Sequence, residues 1–171
     1  RLPHASCKLL LVFIIWAASG VSPKHQVRYP KDLDGLDGIV LPGGESTAMG
    51  LIGTTGSGEK ETLWHHLQRF SQSKPTWGTC AGMILLAERC IGTSAVIEDG
   101  QALIGGLDVT VCRNYFGSQI SSFEMFTPPP PGATESGVFP GVFIRAPAIL
   151  SAGSSVEVLG KVMATPCRQA A

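Results

Sequence analysis

The chain carries no surplus of either charge: lysine plus arginine and aspartate plus glutamate number 13 each in 171 residues. A nucleic-acid surface needs a basic excess, so the composition gives no reason to expect that partner. No charge run suggests a membrane surface or an interaction tail. No Cys-x-x-Cys pair occurs among Cys7, Cys80, Cys90, Cys112 and Cys167. This odd, irregularly spaced set signals neither a zinc site nor a disulfide framework, and it fits a reducing, cytoplasmic compartment. No metal or other cofactor is expected. The apolar run at residues 9–18 is too short for a membrane span, which takes about 20 residues. There is no internal repeat and no sign of a second domain. Charged residues are few, 15%, against 44% hydrophobic, so the chain should fold around one ordinary core rather than stay disordered.

The most informative stretch is Trp77-Gly78-Thr79-Cys80-Ala81-Gly82-Met83. Residues 75–77 read as a short extended run after a polar turn, and residues 81–90 as a helix with apolar faces. Gly78-x-Cys80-x-Gly82 between them has the strand-turn-helix form of a nucleophile elbow, with cysteine in place of serine. A sharp turn strains the backbone at the nucleophile, and side chains at the flanking glycines would collide with neighbouring elements. Cys80 would sit at a helix N-terminus, where the dipole favours an anionic sulfur. The alternative is a buried structural cysteine beside a glycine-rich turn.

Elsewhere the chain reads as short strands alternating with helices. Residues 26–29 suggest a strand and residues 38–41 a buried parallel strand. The latter runs into Pro42-Gly43-Gly44-Glu45-Ser46-Thr47, a strand-to-helix turn in which Ser46 or Thr47 could cap the next helix. Residues 54–58 read as a loop. Residues 59–70 read as a helix with Leu63, His66, Leu67 and Phe70 on one stripe, its His65 and His66 being ordinary surface and interface residues. Residues 92–100 read as a loop, and 103–111 as a strand region with a bend at Gly105-Gly106. A polar loop follows at 113–119, then a strand at 120–126 and a proline-rich loop at 127–137. Strands at 142–145 and 156–163 complete the pattern. The alternation predicts an α/β fold with a mainly parallel sheet.

Four separated stretches coincide: Leu41 to Thr47, Trp77 to Gly82, Arg113-Asn114-Tyr115-Phe116-Gly117-Ser118-Gln119 with Ser122-Phe123-Glu124, and Gly141-Val142-Phe143-Ile144-Arg145-Ala146-Pro147. Together they resemble the glutaminase subunit of pyridoxal 5′-phosphate synthase, a class I glutamine amidotransferase. The resemblance runs over residues 21–163. It implies a flavodoxin-like three-layer sandwich and a glutaminase in which Cys80 attacks the side-chain amide of L-glutamine and forms a γ-glutamyl thioester. It further implies an oxyanion hole from the N–H groups of Gly44 and Ala81, which must be preorganised where negative charge develops. Gly44, Glu45, Ser46, Arg113, Ile144 and Arg145 match the glutamine-binding positions, an arginine fork being suited to the substrate α-carboxylate. The plain alternative for Arg113 and Arg145 is a pair of solvated surface charges. The ammonia would pass to a synthase subunit that makes pyridoxal phosphate, vitamin B6.

The sequence also departs from that family, whose members carry a C-terminal His-x-Glu pair in which the histidine serves the cysteine as base. Here His4, His25, His65 and His66 all precede Cys80. Residues 1–20 do not match the family's opening strand and loop. Residues 9–18 resemble the apolar region of a signal peptide, or else form a buried element of the domain. The expectation is an N-terminal apolar segment, 1–20, followed by an amidotransferase domain, 21–171, incomplete at its C-terminus. Two alternatives remain: a non-catalytic relative that keeps glutamine or synthase binding, and a different cysteine hydrolase using His65 or His66.

Overall fold

The computed structural model describes residues 26–55, 61–92, 101–113, 115, 123–127, 139–143 and 145–161. Expectations for the N-terminal segment, for most of the loops at 92–100, 113–119 and 127–137, for residues 162–171 and for Ile144 lie outside these residues.

Residues 26–29 do not form the expected strand. The N–H groups of Arg28 and Tyr29 both donate to the Asp32 carboxylate, at 2.9 and 2.8 Å, which draws the chain into a 3-10 turn at Pro30–Leu33. Strand β1, Ile39–Leu41, leads into helix α1, Ser46–Thr54. Helix α2 is Leu63–Ser73 and not 59–70. Its start is set at Thr62, whose N–H donates to His65 Nδ1 at 3.3 Å. Its buried face is Trp64 and Leu67, with Leu63 and Phe70 half-buried beside them. Trp64, outside the expected stripe, faces inward, and its Nε1–H reaches the Leu103 carbonyl at 2.9 Å.

Strand β2, Thr76–Gly78, pairs in parallel with β1, Leu41 lying opposite Gly78. Helix α3 is only Ala81–Leu86. The expected helix to residue 90 gives way at Ala87, which turns extended with ψ 148° and opens strand β3, Ala87–Ile91. The reason is long-range. β3 pairs in parallel with β4, Leu107–Cys112, and the pairing outweighs local helix propensity. β4 begins after Gly105 and Gly106, whose φ of +77° and +96° make the bend expected there. Val109 and Val111 turn inward, fully buried and worth about 2 kcal/mol each. On the other face Arg89 bonds Thr110 and Asp108.

Strands β5, Phe123–Thr127, and β6, Phe139–Phe143, form an antiparallel pair. Strand β7, Ala148–Ala152, has no counterpart among the expected strands; it pairs antiparallel with β4 on the side away from β3. Residues 156–161, read as the final strand, have no regular structure, and β7 holds the β4 edge instead. The result is a mixed α/β fold. α3 lies at its centre: Leu85 and Leu86 belong to the cluster of Ile39, Leu41, Trp64 and Ile104, while Ile84 packs with Ala87, Val109 and Val111. Among the described residues no helix is long and apolar enough to cross a membrane, and no group of three His, Cys, Asp or Glu side chains could hold a metal.

Candidate functional site

Because β1 and β2 are parallel and in register, their C-terminal ends stop at the same level, where open α/β sheets bind ligands. Two turns leave that edge, Pro42 to Glu45 into α1, and Thr79-Cys80 into α3. They are fastened to each other. Thr79 N–H donates to the Leu41 carbonyl at 3.1 Å, and Gly82 N–H to the Pro42 carbonyl at 3.2 Å.

Cys80 occupies φ +51°, ψ −108°, in a region where a side chain is strained. Such a conformation costs on the order of 1–3 kcal/mol and persists only where the surroundings enforce it. Here the glycines do so. A Cβ on Gly82 would run into the Leu41 carbonyl, and one on Gly78 would stand 2.5 Å from the Gly82 carbonyl carbon and oxygen. Gly43 lies against the nucleophile itself: a Cβ there would be 3.3 Å from Cys80 Cβ and 4.0 Å from its Sγ. Cys80 is exposed. Cys90 is a poor rival, because burial pushes its thiol up and nearby Cys112 adds to this, against the opposing charge of Arg113.

Around Cys80 the expected site residues take definite positions. Among the described residues neither the Gly44 nor the Ala81 N–H donates a hydrogen bond. Glu45, not Ser46 or Thr47, caps α1: its carboxylate accepts from Thr47 N–H at 3.2 Å and Ala48 N–H at 2.6 Å. The longer side chain can fold back over the first turn from outside the helix, whereas Ser46 is already helical and only 2% exposed. Arg113, just past β4, sends Nη2 to Glu45 Oε1 at 2.9 Å. Its Nη1 is buried and has no hydrogen-bond partner among the described residues. The Ser46 hydroxyl donates to Gln101, a contact with no sequence signal, since the two lie 55 residues apart. Arg145, exposed at φ +48°, makes no bond with Cys80, Glu45 or Arg113 among the described residues. Both described histidines bond within or next to α2, His65 with Thr62 and His66 with Glu61 and Arg69.

Glu45 links this geometry to pH. Burial pushes its carboxyl up, but the Ala48 and Thr47 bonds and the Arg113 charge outweigh that, leaving it below the usual value of 4.5. A lowered folded value means that the stabilisation is complete above the unfolded pKa and is lost as pH falls through the folded one. Glu45→Gln should therefore flatten the acid limb of stability below pH 4.5. Because the side chain is 56% exposed, screening keeps the ionic part small. Glu45→Ala should cost about 1 kcal/mol at neutral pH through loss of the cap. Urea melts from pH 3 to 7 measure both, and parallel acid limbs for wild type and Glu45→Gln would contradict the assignment.

Comparison with known proteins gives the family and the fold. The chain matches the SNO glutamine amidotransferase family over residues 15–165. It is 45% identical over 139 residues to pyridoxal 5′-phosphate synthase subunit PdxT of Bacillus licheniformis, covering 79% of this chain and 62% of that one. It is 45% identical over 136 residues to the PdxT subunit of Deinococcus radiodurans, covering 79% and 65%. The chain thus spans less than two thirds of the length of these curated relatives. A solved structure described as the crystal structure of glutamine amidotransferase superposes with a TM-score of 0.71 at 33% identity, covering 88% of this chain and 73% of that one. The fold is accordingly the flavodoxin-like α/β fold of glutamine amidotransferases. With the family match covering most of its length, the chain belongs to the SNO glutamine amidotransferase family.

Proposed function

We propose that residues 21–171 form a glutaminase domain that hydrolyses L-glutamine to L-glutamate and ammonia and supplies the ammonia to the synthase subunit of pyridoxal 5′-phosphate synthase, in the cytoplasm. The observation that carries the reading is the strained, exposed Cys80, pinned by Gly78 and Gly82 against the turn that holds Gly43 and Gly44. In this reading Cys80 Sγ bonds to the side-chain amide carbon of glutamine. The charge that develops on the amide oxygen is received by the Gly44 and Ala81 N–H groups, whose lack of other acceptors among the described residues supports that role. Expulsion of ammonia leaves a thioester, and water then releases glutamate. The buried, unpartnered Nη1 of Arg113 suits one oxygen of the substrate α-carboxylate, while Nη2 stays on Glu45. Gly44, Glu45, Ser46, Ile144 and Arg145 complete the glutamine contacts.

A γ-electrophilic glutamine analogue such as 6-diazo-5-oxo-L-norleucine tests this. Intact-mass analysis should find one adduct, on Cys80, and L-glutamine should slow its formation. Arg113→Ala should weaken glutamine binding by about 2 kcal/mol, the worth of a charge-assisted hydrogen bond, in calorimetry. Labelling spread over several cysteines without glutamine protection would overturn the reading.

The occupied histidines favour a second reading, a relative that binds glutamine or the synthase with little turnover. His65 and His66 both have partners within or next to α2. Loss of general acid–base help typically costs roughly 10²–10⁴-fold. The two readings separate on glutamate release by the synthase-mixed protein: sustained turnover supports the first, and a single equivalent of thioester without further release supports the second.

A further inference from the structure

We propose that Gln101 is a positioning residue for the nucleophile site, clamping the first turn of α1 so that the Pro42–Ser46 turn stays pressed against Cys80. The inference rests on the glutaminase reading for its consequence, though not for the clamp itself. Gln101 meets Ser46 with both ends of its amide. Its Oε1 accepts from the Ser46 hydroxyl at 3.1 Å, and its Nε2 donates to the Ser46 carbonyl at 3.0 Å. Nε2 also donates to the Ala102 carbonyl at 3.2 Å, which orients the amide. The approach depends on a missing side chain. A Cβ on Gly50, one turn along α1, would lie 3.1 Å from Ala102 Cβ and 3.3 Å from Gln101 Nε2.

The rest of the strap is anchored elsewhere. The Leu103 carbonyl accepts from Trp64 Nε1 and Gln68 Nε2 of α2, at 2.9 and 3.3 Å. Ile104 and Gly105 N–H donate to the Leu85 carbonyl near the end of α3, at 2.6 and 3.2 Å. Residues 101–105 therefore tie the start of α1, which follows directly on Gly44 and Glu45, to the helix that carries Cys80 at its N-terminus. An oxyanion donor must be held before charge develops, because moving it during reaction costs the stabilisation it should supply. Gln101 touches neither Cys80 nor a reacting atom; it acts through Ser46.

The experiment compares wild type, Gln101→Ala and Gln101→Glu. Amide hydrogen exchange reads the clamp directly. In Gln101→Ala, the hydrogen-bonded amides of residues 47–49 should exchange about tenfold faster, the effect of losing one to two net hydrogen bonds, while the amides of α2 beyond its first turn are unchanged. Alkylation of Cys80 reads the consequence. With 6-diazo-5-oxo-L-norleucine, kinact should fall about tenfold and KI by less than threefold, whereas the rate with iodoacetamide, which needs no oxyanion donor, should hold. Gln101→Glu keeps an acceptor for the Ser46 hydroxyl but loses the donor. Its kinact should therefore recover relative to wild type as pH falls and the carboxyl gains a proton to donate. Unchanged exchange at 47–49 overturns the clamp. Faster exchange with wild-type kinact, or an equal loss with iodoacetamide, overturns its role in positioning. A wild-type protein that iodoacetamide labels and the glutamine analogue does not would overturn the glutaminase reading instead, while exchange still decides the clamp.

Discussion

Cys80→Ala is expected to remove all covalent labelling by a glutamine analogue and all glutamine-dependent thioester, leaving the fold intact. The sulfur is the only protein atom in the proposed reaction that forms a bond to substrate, and Cys90, its thiol pushed up by burial, is a poor substitute. Alanine also relieves nothing large. The strained φ of +51° belongs to the backbone turn, and any side chain at position 80 retains that strain. Cys80→Gly adds a useful contrast. It should be equally inert in labelling yet slightly more stable than Cys80→Ala, because glycine adopts positive φ without strain. Intact mass spectrometry after exposure to the analogue, together with thermal melts of the three proteins, measures both effects. Residual, glutamine-protected labelling in Cys80→Ala would show that another nucleophile serves.

Gly82→Ala is expected to be among the most damaging single-methyl additions. The new Cβ would fall on the carbonyl of Leu41 in β1, and that carbonyl already accepts from Thr79 N–H. Neither group can rotate away, because both are main chain and Leu41 is held in register opposite Gly78. Overpacking a core site costs about 3 kcal/mol at the upper end of the usual range, and backbone-to-backbone conflict belongs there. Against a total stability of about 5–15 kcal/mol, that is a large fraction. The denaturation midpoint should drop accordingly and soluble yield with it. Gly160→Ala is the control: nothing among the described residues lies within 4 Å of its would-be Cβ, and its midpoint should match wild type. Equal midpoints for Gly82→Ala and wild type would mean that α3 can slide away from β1 and that the elbow is less tightly set than its hydrogen bonds indicate.

The parts of this protein that were legible in the sequence are those whose physics is local. Gly78-x-Cys80-x-Gly82 announces a sharp turn because no other residue type fits beside Cys80 there, and Leu41 supplies the wall that the flanking glycine avoids. The β1 strand, the Gly105-Gly106 bend and the turn at Gly43-Gly44 are short-range signals of the same kind. The family resemblance rests on Leu41 to Thr47, Trp77 to Gly82, RNYFGSQ with Ser122 to Glu124, and GVFIRAP, and the comparison bears it out. Other features were decided by partners distant in sequence. Residues 87–91 follow a helix and could have extended it, yet they pair with β4 instead. Residues 148–152 become β7 because the free edge of β4 is there to receive them. Glu45, Ser46 and Thr47 all suit a helix start, and only the fold separates them: Arg113, 68 residues on, holds Glu45 as the cap, and Gln101, 55 residues on, buries Ser46. Local sequence sets which backbone states are cheap, while tertiary pairing chooses among states of nearly equal local energy. For the same reason the nucleophile could be read from one heptapeptide, whereas the scaffold that steadies it needed the whole fold.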